Sequence, residues 1–129
     1  MRNYFTGANT VAVLTVSERR SGQMTVLDLE GSVTLGDGTA TLRRETRRLI
    51  AEGRADILLN LSDVRYVDSS GLGEMVAALA AARRAGGRVA LLGLSPNVRE
   101  VFAVTRLLTV FDIYEDEAGA LTGMGTGRD

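Results

Sequence analysis

The apolar residues of this chain recur with two periods, one typical of strands and one typical of helices. Two β-branched apolar stretches, residues 11–16 and 24–29, are separated by a polar segment that contains Gly22. Such a pair predicts an antiparallel hairpin, with Gly22 at a positive φ angle in the turn. Leu42, Leu49 and Ile50 then fall on one face of a helix over residues 39–52. Gly53 follows as the C-terminal stop.

The rest of the chain continues this alternation. A short apolar run at residues 57–61 predicts a buried strand, and residues 62–67 are expected to link it to a long Ala-rich helix that ends at Gly86 and Gly87. Ser95 and Pro96 are typical of the capping residue and first position of a helix. The remaining predictions are a strand at 88–93, a helix from Pro96 to about residue 105, a strand at 110–114 and a weak helical turn at 115–121.

The predicted order is therefore β-β-α-β-α-β-α-β, which indicates an α/β fold with a mixed, mostly parallel sheet packed with helices. A chain of 129 residues has the size of one domain. We expect that domain to span residues 11–121, with a loose segment at 1–10 and a Gly-rich, frayed tail at 122–129.

Composition excludes many functions. The chain has no Cys and no His, and all 15 of its basic residues are Arg, so thiolate and His-ligated metal sites, His-based catalysis and lysine chemistry are excluded. We therefore expect no metal, no cofactor and no enzymatic activity. A net charge of −1 argues against nucleic-acid binding. The sequence has no apolar leader and no apolar run of membrane length, so we expect a cytoplasmic protein that does not bind membranes. We also expect it to be a monomer or a weak homodimer.

The densest polar and glycine cluster begins where the linking segment enters the Ala-rich helix. It consists of Asp68, Ser69, Ser70, Gly71, Leu72 and Gly73. Residues of this kind serve most often as helix caps, and an exposed serine at a helix N-terminus is also a plausible phosphate acceptor, so both interpretations stay open. The glycines cost helix stability, which suggests a close approach to this backbone. Four arginines on the first helix form either a solvated face or a site for an acidic partner: Arg43, Arg44, Arg47 and Arg48.

Residues 57–73, together with 85–93 and 95–107, resemble the STAS domain of bacterial anti-sigma factor antagonists. The resemblance implies a STAS-type fold and a regulatory switch. In that family the dephosphorylated protein binds an anti-sigma factor that is usually also a serine kinase, and so releases a sigma factor for transcription. The kinase modifies the first serine of the motif, here Ser69, and a phosphatase resets it. Ser70 is then expected to be a residue of the helix start whose loss costs about 1 kcal/mol.

The same resemblance implies a partner-binding surface around the motif. It comprises Asp68, Ser69, Ser70, Gly71, Leu72 and Gly73 together with Ser32, Thr34 and Ser95. Residues 31–38 depart from the usual family pattern by forming a longer glycine-containing loop, which affects the choice of partner more than the fold. The alternative function is that of a scaffold or subunit in a signalling or lipid-transport complex, without a phosphorylation switch.

Overall fold

The computed structural model describes residues 13–126, and its first feature is the predicted hairpin. Strand β1 (Leu14–Ser21) pairs antiparallel with β2 (Met24–Val33). The turn contains Gly22 at φ +62°, which confirms the prediction for this glycine. The first strand is longer than predicted, because its pairing continues through residues 17–21, which were expected to form the loop. Residues 11 and 12 of the predicted strand lie outside the described part of the chain.

The remaining elements alternate as the sequence predicts. They are α1 (Asp37–Ala51), β3 (Asp56–Val67), α2 (Ser69–Arg84), β4 (Arg88–Leu92), α3 (Pro96–Val104), β5 (Asp112–Tyr114) and α4 (Glu117–Thr126). The sheet order is β1-β2-β3-β4-β5, with β2, β3, β4 and β5 mutually parallel. The expected mixed, mostly parallel α/β fold is thereby confirmed. A 3-10 turn at Leu107–Thr109, which the sequence did not predict, precedes β5.

Helices cover both faces of the sheet. The larger core lies between one face and helices α1, α2 and α3, and it includes Leu42, Met75 and Phe102, all fully buried. The smaller core lies on the opposite face, where Ala120 and Met124 of α4 pack against the strands. Alternate residues of the central strands therefore point into different cores, which explains why these strands are largely apolar.

Two segments predicted as loops are strand instead. Residues 31–33 extend β2, and residues 62–67 extend β3 as far as Val67. The two extensions pair in parallel across two register shifts. Val64 and Val67 are buried in the larger core, and the residues between them are exposed positions of a strand rather than parts of a linker. The glycine-containing loop is thus confined to residues 34–36, and α1 begins two residues earlier than predicted.

The C-terminal region also differs from the prediction. The last helix runs from Glu117 to Thr126, whereas the sequence predicted one weak turn and a frayed tail from residue 122. Its helical state follows from tertiary packing, because Ala120 and Met124 are buried against the sheet. The predicted loose segment at 1–10 and residues 127–129 lie outside the described residues.

Candidate functional site

Asp68 joins the start of α2 to the loop that follows β2. It directly follows β3 and caps α2, with its Oδ1 accepting a hydrogen bond of 2.8 Å from the N–H of Gly71. Its Oδ2 accepts a second bond of 2.9 Å from the N–H of Leu35. The Leu35 N–H and then the Gly71 N–H hold the pKa of Asp68 below its usual range. The carboxylate therefore stays ionised and ties two separate segments together.

The two serines of the motif occupy different environments. Ser69 is the first residue of α2 and is exposed, whereas Ser70 is half-buried. Neither hydroxyl has a hydrogen-bond partner among the described residues. The capping role that the sequence left open belongs to Asp68, whereas Ser70 lies in the first turn of α2, as expected, without being its cap. Ser69 thus presents a free hydroxyl to solvent beside an ionised carboxylate.

Gly71 and Gly73 have different structural roles. A Cβ atom on Gly71 would overlap the carbonyl oxygen of Val33, so only glycine lets the first turn of α2 approach the end of β2 this closely. A Cβ atom on Gly73 would meet no heavy atom within 4 Å, and this residue is exposed. The close approach suggested by the sequence is therefore internal at Gly71, whereas Gly73 keeps the outer surface of α2 flat.

The other predicted site residues are not all at this surface. Leu72 is 5% exposed and lies in the larger core, so its predicted contact with a partner is corrected to a packing role. Ser32 and Thr34 are half-buried and flank Val33 at the end of β2, next to the segment that Asp68 holds.

Ser95 lies at a different groove. Its Oγ caps α3 by accepting a bond of 3.3 Å from the N–H of Val98, as the sequence predicts. It lines a groove of about 460 Å³ together with Tyr66 and Asn97, and this groove contains no residue of the Asp68–Gly73 motif.

Sequence reasoning missed two features next to the motif. Leu35 is 77% exposed although its backbone is fixed by Asp68. Glu74 of α2 is only 5% exposed, and its Oε1 accepts a 3.1 Å bond from Nε of Arg43 on α1. The sequence offered only weak indications of them: Leu35 is a leucine inside a glycine-containing loop, and Glu74 is a single carboxylate in an otherwise apolar stretch of helix.

The described residues contain no group of acidic side chains placed to bind a metal ion. Within residues 13–126, no helix combines the length and the apolar character that crossing a bilayer requires.

Comparison with known proteins assigns the family. The family model of the STAS domain matches residues 16–120, which is most of the chain. The chain belongs to the STAS domain family. The resemblance seen in the sequence is thereby confirmed.

Several relatives of this STAS domain are named anti-sigma factor antagonists. The anti-sigma-B factor antagonist of Bacillus subtilis is 34% identical over 83 residues, which are 64% of this chain and 76% of that protein. The anti-sigma F factor antagonist of Paenibacillus polymyxa is 32% identical over 66 residues, or 51% of this chain and 56% of that protein.

Solved structures support the fold. An anti-sigma factor antagonist from Mycobacterium paratuberculosis superimposes with a TM-score of 0.75 at 21% identity, covering 87% of this chain and 94% of that one. The Bacillus protein SpoIIAA in its phosphorylated form gives a TM-score of 0.65 at 23% identity, covering 84% and 97% of the two chains. At these identities the comparison concerns the architecture of this STAS domain.

Proposed function

We propose that this STAS domain is an anti-sigma factor antagonist switched by phosphorylation of Ser69. In its unmodified form it binds an anti-sigma factor that is also a serine kinase, and so releases a sigma factor; a phosphatase reverses the modification. It acts in the cytoplasm by binding, without catalysis. The observation that carries the proposal is the exposed, unbonded hydroxyl of Ser69 at the start of α2, beside the ionised Asp68.

The electrostatics of this position favour a switch that acts on binding. A phosphate adds about −1.5 to −2 charges. The N–H groups of Gly71 and Leu35 already bind the carboxylate of the neighbouring Asp68. A phosphate on Ser69 therefore adds its charge to an already anionic spot at an exposed position. An interface packed against Ser69 would lose affinity through repulsion and through the cost of desolvating the phosphate.

The neighbouring surface suits contact with a partner protein. Gly73 lies one helical turn beyond Ser69 and adds no side chain, and Val76 is the next exposed residue of α2. Leu35 adds an exposed apolar side chain on the loop held by Asp68. A partner can therefore approach the backbone of the first turns of α2 closely.

The test is phosphorylation by the cognate anti-sigma factor with ATP, followed by mapping of the phosphate by mass spectrometry. Ser69→Ala is expected to abolish the incorporation of phosphate, and Ser70→Ala, the matched control, is expected to retain it. Stable binding of the anti-sigma factor without any phosphorylation of Ser69 would favour the alternative role as a scaffold or subunit. Phosphate mapped to Ser70 in the Ser69→Ala variant would refute the assignment of the acceptor.

A further inference from the structure

A groove lies between the outer face of α1 and the first turns of α2, and of its lining residues only Leu35 belongs to the surface already described. Its volume is about 760 Å³. The residues that matter for its chemistry are Leu35, Ala40, Arg43, Arg44, Arg47 and Glu74. The groove begins at the loop that Asp68 ties to the helix of Ser69, so a molecule seated beside Ser69 can continue into it.

Glu74 is an incompletely bonded carboxylate in this groove. The residue is 5% exposed, and its Oε1 accepts a hydrogen bond of 3.1 Å from Nε of Arg43 and lies 3.0 Å from Nη2 of the same ion pair. Its Oε2 is buried and has no hydrogen-bond partner among the described residues. A buried charged oxygen without a donor is costly to the fold. Because Oε2 is buried, Glu74 acts in the wall of the groove, where it holds Arg43.

Beyond the ion pair of Arg43 with Glu74, the groove carries positive charge on Arg44 and Arg47 that the described residues neutralise weakly or not at all. The side chains of Arg43 and Arg44 are 67% and 65% exposed, and Arg44 has one long contact of 3.6 Å to Glu45. Arg47 is exposed and makes no ion pair within the described chain. These three guanidinium groups lie on one side of a protein whose net charge is −1.

Arg48, at the same helix face, is different. It is held by Glu45 at 2.9 Å, by Glu18 at 2.6 Å and by Glu52 at 3.4 Å. Its charge is therefore satisfied within the protein, so Arg44 and Arg47 are the groove arginines available to a partner.

Leu35 supplies an apolar contact at the mouth of the groove. Its side chain is 77% exposed, yet its N–H is bound by Asp68 and the following helix is fixed by bonds such as Thr39 N–H to the Thr34 carbonyl at 3.1 Å. An apolar side chain presented on a fixed backbone loses little entropy on binding, which is typical of an interface anchor. Ala40 continues this apolar surface into the groove.

We propose that this groove binds an acidic segment of the partner protein, in addition to the contact around Ser69. An apolar side chain of that segment packs on Leu35 and Ala40, and its carboxylates pair with Arg44 and Arg47. This inference rests on the proposed function, because the partner is the anti-sigma factor. The groove thus contributes affinity and partner choice, whereas Ser69 controls release.

The experiment measures the affinity of the unphosphorylated protein for the cognate anti-sigma factor by calorimetry, at about 0.1 M and about 0.5 M NaCl. The variants are Leu35→Ser and the pair Arg44→Glu with Arg47→Glu. The matched control is Arg83→Glu with Arg84→Glu, which makes the same charge change at exposed positions in the last turn of α2. Circular dichroism melting of each variant checks that it is folded.

We expect the Arg44/Arg47 variant to bind at least about tenfold more weakly than wild type, and the control to stay within about twofold. Salt should weaken wild-type binding more than it weakens binding of the groove variant. Groove variants that are folded and bind as tightly as the control would overturn the inference and leave the proposed function intact. If the wild type binds no anti-sigma factor at all, the proposed function fails and this inference fails with it.

Discussion

Replacing Asp68 by Ala tests the junction on which the whole site depends. The substitution removes the cap of α2, which costs about 1 kcal/mol in typical helices. It also leaves the N–H of Leu35 without its acceptor, and for a partly exposed group we estimate a further cost of about 1 kcal/mol. The expected loss in the free energy of unfolding is therefore about 2 kcal/mol at neutral pH. For a domain of this size this corresponds to a fall of roughly 6–10 °C in melting temperature.

The contribution of Asp68 also depends on pH. Because its pKa is lower in the folded protein than in the unfolded chain, the stabilisation is fully present above the unfolded value of about 3.9. It is lost as the pH falls through the folded pKa. The difference in stability between wild type and Asp68→Ala should thus be constant from neutral pH down to about pH 5 and shrink at lower pH. Asp68→Asn keeps one acceptor oxygen, so its stability should lie between those of wild type and Asp68→Ala. The Asn side chain does not titrate, so it should not contribute this pH dependence.

Urea unfolding of the three proteins at several pH values measures these differences. Asp63→Ala is the matched control, since Asp63 is an exposed aspartate of β3, the strand that leads to Asp68, with no side-chain bond in the described chain. An Asp68→Ala protein as stable as the Asp63→Ala control at neutral pH would refute the reasoning. So would a difference between wild type and Asp68→Ala that stays undiminished in acid.

Three further substitutions test the packing of the site. Gly71→Ala gains about 1 kcal/mol in helix propensity but forces a methyl group onto the Val33 carbonyl, so urea unfolding should show a net loss of about 2 kcal/mol in the free energy of unfolding. Gly73→Ala, where the methyl group meets no atom, should instead raise that free energy by about 0.5–1 kcal/mol. Equal effects of the two substitutions would show that the first turn of α2 can move away from β2. Glu74→Met removes a buried carboxylate and leaves Arg43 hydrated, so the stability should stay unchanged or rise by about 1 kcal/mol, and a clear loss would mean that the ion pair holds α1 and α2 together.

Patterns that are local in the sequence predicted the fold well. The hairpin with Gly22, the Ala-rich helix and the cap at Ser95 all depend on neighbouring residues, and the structure confirms them. The second half of β3 could not be found in this way. Its polar residues resemble a linker, and only its pairing with the end of β2 makes it a strand. The last helix likewise depends on contacts with the distant sheet.

In the site, too, the sequence predicted features that depend on neighbouring residues but not those that depend on distant contacts. The motif drew attention to Asp68 and Ser69, yet the sequence could not tell which residue caps α2, because Asp and Ser both serve as caps. The hydrogen bond that the N–H of Leu35 donates to the Asp68 carboxylate spans 33 positions along the chain, and no spacing rule predicts it. The burial of Glu74 next to Arg43 also arises only when α1 packs against α2.

The most direct test of the central claim compares the binding of one anti-sigma factor to two forms of the protein. Calorimetry would be run with the unmodified protein and with protein that carries one phosphate on Ser69, and Ser69→Glu would serve as a weaker mimic with less charge. We expect phosphorylation to weaken binding at least about tenfold, or about 1.4 kcal/mol, with a melting temperature close to that of the unmodified protein. Equal affinities of the phosphorylated and unmodified forms would contradict the switch.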